Sequence, residues 1–274
     1  MSEIGIVDTR NIINTIVEKY HYDFSDYALI SFKRRLEKII EYYNLKYPDL
    51  LINKLTENHE FFDTFLFQLA IPSTEMFRDP SLWRIMRDDL IPDLYHEGGA
   101  GFKIWLPNSV SGDELFSLTI LLSEIGLLDK VGILVSCLSH KSIEIIKSGI
   151  FQTNKFDISG DNYIRANGKY ELSNYILTKD GIMIRDTKLI QHVTFFKQNV
   201  FLDPVPQGIK LLMFRNKMIY FNQTLQSSIL KKLHNALSSG GFLVVGTKES
   251  LNTHYGSTDF ISINKTESIY KPRI

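Results

Sequence analysis

The 274-residue chain carries 31 Lys plus Arg against 31 Asp plus Glu, so its net charge is zero; 44% of it is hydrophobic and 23% charged. That balance excludes a disordered chain and offers no bulk attraction to nucleic acid or an anionic membrane surface. The single cysteine, Cys137, excludes an internal disulfide and suits a reducing compartment.

The first twenty residues, MSEIGIVDTRNIINTIVEKY, hold early acids and no continuous apolar core, unlike a secretory leader. No run approaches the roughly 18–20 apolar residues that span a bilayer, so a soluble, cytoplasmic protein is expected. Apolar spacing then predicts helices over about the first 95 residues. Ile12, Ile13, Ile16 and Val17 mark one face of a first helix. Ile30, Phe32, Leu36, Ile39, Ile40 and Tyr43 mark a second, with Lys33, Arg34, Arg35 and Lys38 largely opposite. Asn58 with Glu60 opens another, carrying Phe61, Phe62, Phe65, Leu66 and Leu69. IPSTEMFRDPSLWRIMRDDLIP predicts a turn, a loop and a helix that stops before Pro92. The glycines of Gly98–Gly101 mark a linker.

Beyond them the pattern changes. FKIWLPN predicts a strand, Gly112–Ile125 a helix, VGILVSC a strand and Lys141–Lys147 a helix. This alternation implies an α/β fold with a parallel sheet and right-handed crossovers. Residues 151–200 interrupt it with turn signals such as Asp180-Gly181, which predicts a hairpin-rich excursion. IKLLMF, a helix over Gln223–Leu237 and GFLVVGT resume the alternation, and FISINKTESIYK predicts closing antiparallel strands.

Several chemistries are absent. The seven histidines are scattered, with no His-x-x-x-His pair and no cysteine pair, so no zinc site is expected. There is no Gly-x-Ser-x-Gly elbow and no phosphate loop. Three segments remain as candidates. KIWLPNSVSGDELFS, Lys103–Ser117, is a strand–turn–helix whose carboxyl edge is where α/β sheets bind ligands. Its acids Asp113 and Glu114 could equally complement the helix dipole. Arg78 in TEMFRDPSLW could face a ligand or form a structural ion pair. Arg215 and Asn216 follow an apolar strand in MFRNKMIYF, where Ile219, Tyr220 and Phe221 could also be plain core.

Together these segments resemble the CheR-type chemotaxis-receptor methyltransferases. DFSDYALISFKRRLEKII is similar to the basic helix of that family's N-terminal domain, and TEMFRDPSLWRIMRDDLIP to its T-x-F-F-R-D segment. WLPNSVSGDELFSL resembles W-S-A-G-C-S-T-G-E-E-P-Y-S-L, KSGIF the A-x-x-G-I-Y run, VTFFKQNVF the V-x-F-x-x-x-N-L run, and FRNKMIYFN the C-R-N-V-L-I-Y-F run. The resemblance implies an N-terminal helical domain with linker at 1–95. It implies a Rossmann-like class I methyltransferase domain at 96–274, with a small antiparallel β-subdomain inserted at about 160–200.

It also implies S-adenosylmethionine as cofactor, S-adenosylhomocysteine as product, no metal, and methyl transfer to glutamates on chemoreceptor helices. No nucleic-acid partner and no membrane insertion go with it. Thr74, Arg78, Glu114, Cys137, Asn199, Val200, Arg215 and Asn216 become cofactor-facing residues. Arg78 and Tyr220 become the expected catalytic pair, and Lys33, Arg34 and Arg35 the substrate-facing cations. Four positions depart from the pattern. Asn108 and Val110 replace small residues of the turn. Cys137 stands where the family has an acid for the ribose hydroxyls, a loss of about 1.5–3 kcal/mol that Ser136 and Ser139 could partly offset. Lys217 replaces an apolar residue. A second reading therefore stays open, a degenerate family member that binds a receptor or other partner without transferring a methyl group.

Overall fold

The computed structural model describes residues 4–70, 75–249, 251 and 259–273. Four helices come first: α1 (Ile6–Tyr20), α2 (Leu29–Tyr42), α3 (Pro48–Glu57) and α4 (His59–Leu69). Their apolar stripes, Ile12, Ile16, Phe32, Leu36, Ile40, Leu55 and Phe65 among them, bury into one cluster that also takes Leu138 from farther along the chain. Burial worth about 1.5–3 kcal/mol per large side chain is what holds helices this short. Local groups set the starts. Asn58 Oδ1 accepts the Phe61 N–H at 3.0 Å, and Pro48 opens α3 where no N–H is needed.

Next, α5 (Pro80–Ile85) runs through a π-helical turn, Met86–Leu90, into α6 (Ile91–Gly98). The missing N–H of Pro92 predicts a stop, and the helix continues instead. The widened turn, in which the Ile91 N–H reaches Met86 O, absorbs the lost donor.

The remaining elements are β1 (Lys103–Leu106), α7 (Asp113–Glu124), β2 (Gly132–Cys137), α8 (His140–Ser148), β3 (Ile150–Phe151), α9 (Phe156–Arg165), β4 (Ile176–Lys179), β5 (Ile182–Arg185), β6 (Val193–Lys197), β7 (Ile209–Phe214), α10 (Gln223–Ala236), β8 (Leu237–Val245), β9 (Phe260–Asn264) and β10 (Ile269–Pro272). A seven-stranded sheet has the order β6-β2-β1-β7-β8-β10-β9, parallel from β6 to β8 and antiparallel at β10 and β9. This is a Rossmann-like α/β fold. Successive strands leave β1 in one direction and β7 in the other, so β1 and β7 flank the switch point where such sheets bind ligands.

A second, three-stranded antiparallel sheet has the order β3-β5-β4. Its strands fall at Ile150–Phe151 and within 176–185, with α9 between them. Val193–Lys197, inside the hairpin-rich stretch by sequence, pairs with Ile133–Cys137 in the main sheet.

Two sets of bonds join the first helices to the sheet. Residues 26–28 run antiparallel to the loop after β7: Ala28 N–H donates to Tyr220 O at 2.8 Å and Asn222 N–H to Asp26 O at 2.9 Å. On α4, the Asp63 carboxylate accepts from the His140 and Lys141 N–H groups at 3.0 and 2.9 Å, and from Lys197 Nζ at 2.9 Å. An acid at the start of α8 complements that helix's dipole.

Candidate active site

The parallel register brings the carboxyl ends of β2, β1 and β7 to one edge, with Leu106 opposite Val135 and Trp105 opposite Leu212. Beyond β1 the turn 107–112 needs two left-handed residues, Asn108 at φ 53° and Gly112 at φ 79°. Asparagine tolerates that conformation, so the turn keeps its course without the glycine the resemblance leads one to expect at 108. At Gly112 a Cβ would also press on Ile146 at 3.1 Å.

The two acids after the turn face different ways. Asp113 is buried and meets Arg185 Nη1 at 2.9 Å and Lys155 Nζ at 3.6 Å. Arg185, at the end of β5 and only 2% exposed, also donates to Ser111 O and Ile150 O at 2.8 and 2.7 Å, and its guanidinium lies over Phe116. It pins the three-stranded sheet to the turn. Sequence reasoning missed it; the only signal is a lone arginine closing the apolar run IMIR.

Glu114 turns to Arg215, whose Nη1 lies at 3.0 Å. Arg215 is buried and binds Asp79 at 2.6 Å and Arg78 O at 3.1 Å through Nη2. Its buried Nε finds no protein partner among the described residues. Asp79 belongs to a kink in which Phe77 and Asp79 both take positive φ, 53° and 59°. For a bulky residue such as Phe77 that conformation costs about 1–2 kcal/mol. Burial against Trp83 and Tyr163, and an N–H bond to Ser117 Oγ at 2.8 Å, hold it there. The kink leaves the Arg78 side chain one-third exposed, 4.0 Å from Glu75. Thr74 lies outside the described residues.

Asn216 is left-handed at φ 57°, and its side chain rests on Gly246, where a Cβ would come within 2.5 Å of Oδ1. Its N–H and that of Gly246 donate to Glu249 Oε2 at 2.6 and 2.7 Å, and Ile219 N–H reaches Oε1 at 3.3 Å. Glu249, buried just past β8, was also missed, since an acid in GTKES reads as ordinary loop.

Lys217 folds back over the sheet edge. It is 7% exposed, and Nζ donates to Pro107 O, at the end of β1, at 2.8 Å. Burial, against the attraction of Glu114 and Glu249, holds its pKa below the usual lysine range, with Arg215 adding repulsion. Cys137 closes β2 fully buried, and burial pushes its thiol up to about 12. It presents a neutral group there. The flanking serines are engaged elsewhere: Ser136 Oγ accepts the Trp105 indole N–H at 3.2 Å, and Ser139 caps α8 through Ser142 N–H at 3.1 Å. Both hydroxyls thus already have partners within the protein.

After β6, Asn199 closes a tight local turn, its N–H on Asp203 Oδ2 at 2.7 Å and its Oδ1 on Phe201 N–H at 3.1 Å; Val200 is buried beside it. Tyr220 faces the other way, toward α2. Its ring lies 4.8 Å from the Arg35 guanidinium, and both border a cavity of about 230 Å³ lined also by Arg34, Lys38, Ser31, Gln68 and Ala70. Arg35 is fixed by Leu69 O and Ala70 O, at 2.7 and 2.6 Å, where it neutralises the carboxyl end of α4. Lys33 is not in this group; it pairs with Glu37 at 3.6 Å.

Arg78, Glu114, Arg215 and Asn216 thus gather at the sheet edge with Cys137 and Lys217, while Tyr220, Arg34 and Arg35 gather at the cavity. Among the described residues no group of three or more His, Cys, Asp or Glu could hold a metal. Nor is any helix there long and apolar enough to cross a membrane.

The chain matches the family described as CheR methyltransferase, SAM binding domain, over residues 72–267. It is 31% identical over 265 residues to the Pseudomonas putida protein Cher3, covering 97% of this chain and 96% of that one. It is 26% identical over 238 residues to chemotaxis protein methyltransferase 1 of Vibrio cholerae, covering 83% and 82%, and 25% identical over 234 residues to the Pseudomonas aeruginosa protein of the same name, covering 81% and 83%. The motifs in their order, the strand order and these matches agree: the chain belongs to the CheR methyltransferase family.

Proposed function

We propose that this chain is an S-adenosylmethionine-dependent protein-glutamate O-methyltransferase, with residues 1–95 a helical domain that brings an acidic chemoreceptor helix to the edge of a methyltransferase domain at 96–274. The observation that carries the reading is the cavity where Tyr220 meets Arg34, Arg35 and Lys38. A glutamate side chain is already nucleophilic when ionised, so the protein must place it and keep it charged rather than remove a proton. Two arginines and a lysine favour the ionised form, and the Tyr220 hydroxyl can donate to a carboxylate oxygen. Arg34 and Lys38, at the mouth, also attract an acidic partner from solution.

The sheet edge suits S-adenosylmethionine at two ends and disagrees with it in the middle. Arg78 and the Arg215 Nε, which has no partner among the described residues, would take a cofactor carboxylate, and Val200 would offer an apolar wall to adenine. Glu114, already bound to Arg215, could share its second oxygen with an ammonium. When bound, the cofactor supplies a methyl group activated by a positive sulfur. Against this, Cys137 offers the ribose no charged acceptor, and Lys217 sets an ammonium in the same crevice. That disagreement favours a second reading, a family member that docks a receptor through the α2 cavity and transfers nothing.

One experiment separates them. Incubation with methyl-labelled S-adenosylmethionine and chemoreceptor cytoplasmic fragments should give base-labile methyl esters that release methanol. Receptor capture without any ester would retire the transferase reading and leave the docking one.

A further inference from the structure

We propose that Lys217 is a built-in cation of the cofactor edge, which makes the chain discriminate against a sulfonium and favour its neutral thioether counterpart. The inference rests on the reading of this edge as the cofactor site.

The geometry is specific. Lys217 lies three residues past the end of β7, and β7 is paired with β1. Its side chain crosses from one strand end to the next and ends on Pro107 O at 2.8 Å, beside the switch point. A carbonyl at the end of a strand is an acceptor well suited to an incoming cation, and here the protein's own ammonium takes it. The side chain is enclosed where it stands, the residue being 7% exposed.

The local charges are also matched already. Glu114 and Asp79 are bound to Arg215, and Glu249 accepts three backbone N–H groups. Burial disfavours a charge on Lys217 and Arg215 repels one, while Glu114 and Glu249 attract one and the Cys137 thiol beside it is neutral. A sulfonium entering this crevice adds a positive charge next to two others, with no free carboxylate on β2 to offset it. A thioether of the same shape avoids that repulsion. Burial strengthens the difference, since a charge pair away from water is screened less than one at the surface. In the FRNKMIYFN run, Lys217 stands where the resembled pattern has an apolar residue, so both charge and bulk are particular to this chain.

The test is calorimetric titration of the full chain with S-adenosylmethionine and S-adenosylhomocysteine, for the native protein, Lys217→Met and Lys217→Val, with thermal melts to confirm that each is folded. Methionine keeps the length and removes the charge; valine removes both. The native chain should bind the thioether about tenfold or more tighter than the sulfonium. Lys217→Met should bring that ratio close to one, and Lys217→Val should in addition tighten both ligands. Native binding of the thioether alone, with sulfonium binding appearing in the variants, supports the proposal equally. Equal native affinities for the two ligands, or a ratio and affinities unchanged by either substitution, overturn it while leaving the methyltransferase reading in place. Absence of binding in the native chain, in both variants and in Lys217→Val combined with Cys137→Asp removes the cofactor site itself and takes both with it.

Discussion

The carboxyl edge of the main sheet and the α2 cavity are both rich in charge, and they differ in what the charges do. At the edge the ionic groups bind one another or the backbone: Arg185 holds Asp113, Arg215 holds Glu114 and Asp79, Glu249 holds three N–H groups, and Lys217 holds Pro107 O. At the cavity Arg34, Arg35, Lys38 and Tyr220 surround about 230 Å³ of open space. Both regions come from motifs that resemble the family's. A ligand at the edge finds Arg78 and Arg215 Nε open but otherwise competes with internal partners, so its affinity is a difference between opposing terms. A ligand at the cavity gains attraction directly, and salt should weaken it.

The sharpest way to break that contrast is Arg185→Ala. It removes the closest cation from the buried Asp113, which keeps the longer contact to Lys155 and the Ser111 hydroxyl at 3.0 Å, and removing one partner of a buried pair costs about 3–5 kcal/mol. Urea denaturation should show that loss, with the three-stranded sheet released from the turn. A loss below about 1 kcal/mol would mean the edge is not a tightly bonded network. Glu249→Ala comes next: it strips acceptors from the N–H groups of Asn216, Gly246 and Ile219, at about 2–3 kcal/mol by the same measurement. A near-neutral result would show that water satisfies those groups.

The cavity predicts smaller, salt-dependent effects on partner binding. Arg34→Glu should weaken an acidic receptor fragment about three- to tenfold at low salt, less as salt rises, with S-adenosylhomocysteine affinity unchanged. A change in cofactor affinity instead would merge the two regions into one. The smallest effect belongs to the Asp63 tether. Burial raises its pKa, but bonds from Lys197, His140 and Lys141 prevail and hold it below the usual aspartate range. Its folded value is thus lower than its unfolded one. The stabilisation is present above roughly pH 4 and fades as pH falls through the lower folded value. Asp63→Asn should therefore lower stability at pH 7 and converge with the native chain in acid, as denaturation at pH 7 and pH 3 would show; a constant offset would rule the tether out.

Much of the fold was legible because periodicity is local. The stripes Ile12–Ile16, Phe32–Ile40 and Phe61–Leu69 and the runs KIWL, GILVSC and IKLLMF encode their elements by spacing, and each formed. The continuation through Pro92 was not legible, because a π turn compensates for proline only when helix packing holds both sides. Val193–Lys197 looked like part of a hairpin because pairing partners far apart in the chain leave no local mark.

At the site, residue types were readable and their partners were not. Sequence alone determined the family, the αL-tolerant Asn108, the missing acid at Cys137 and the cation at position 217. Only the tertiary structure decided that Glu114 faces Arg215, that Arg185 and Glu249 belong to the edge, and that Lys217 turns inward onto Pro107 O while Tyr220 turns toward α2. The reason is physical: a charge's role depends on which opposite charge or carbonyl lies within a few ångströms. Contacts between residues 101 positions apart, such as Glu114 and Arg215, exist only once the strands are aligned.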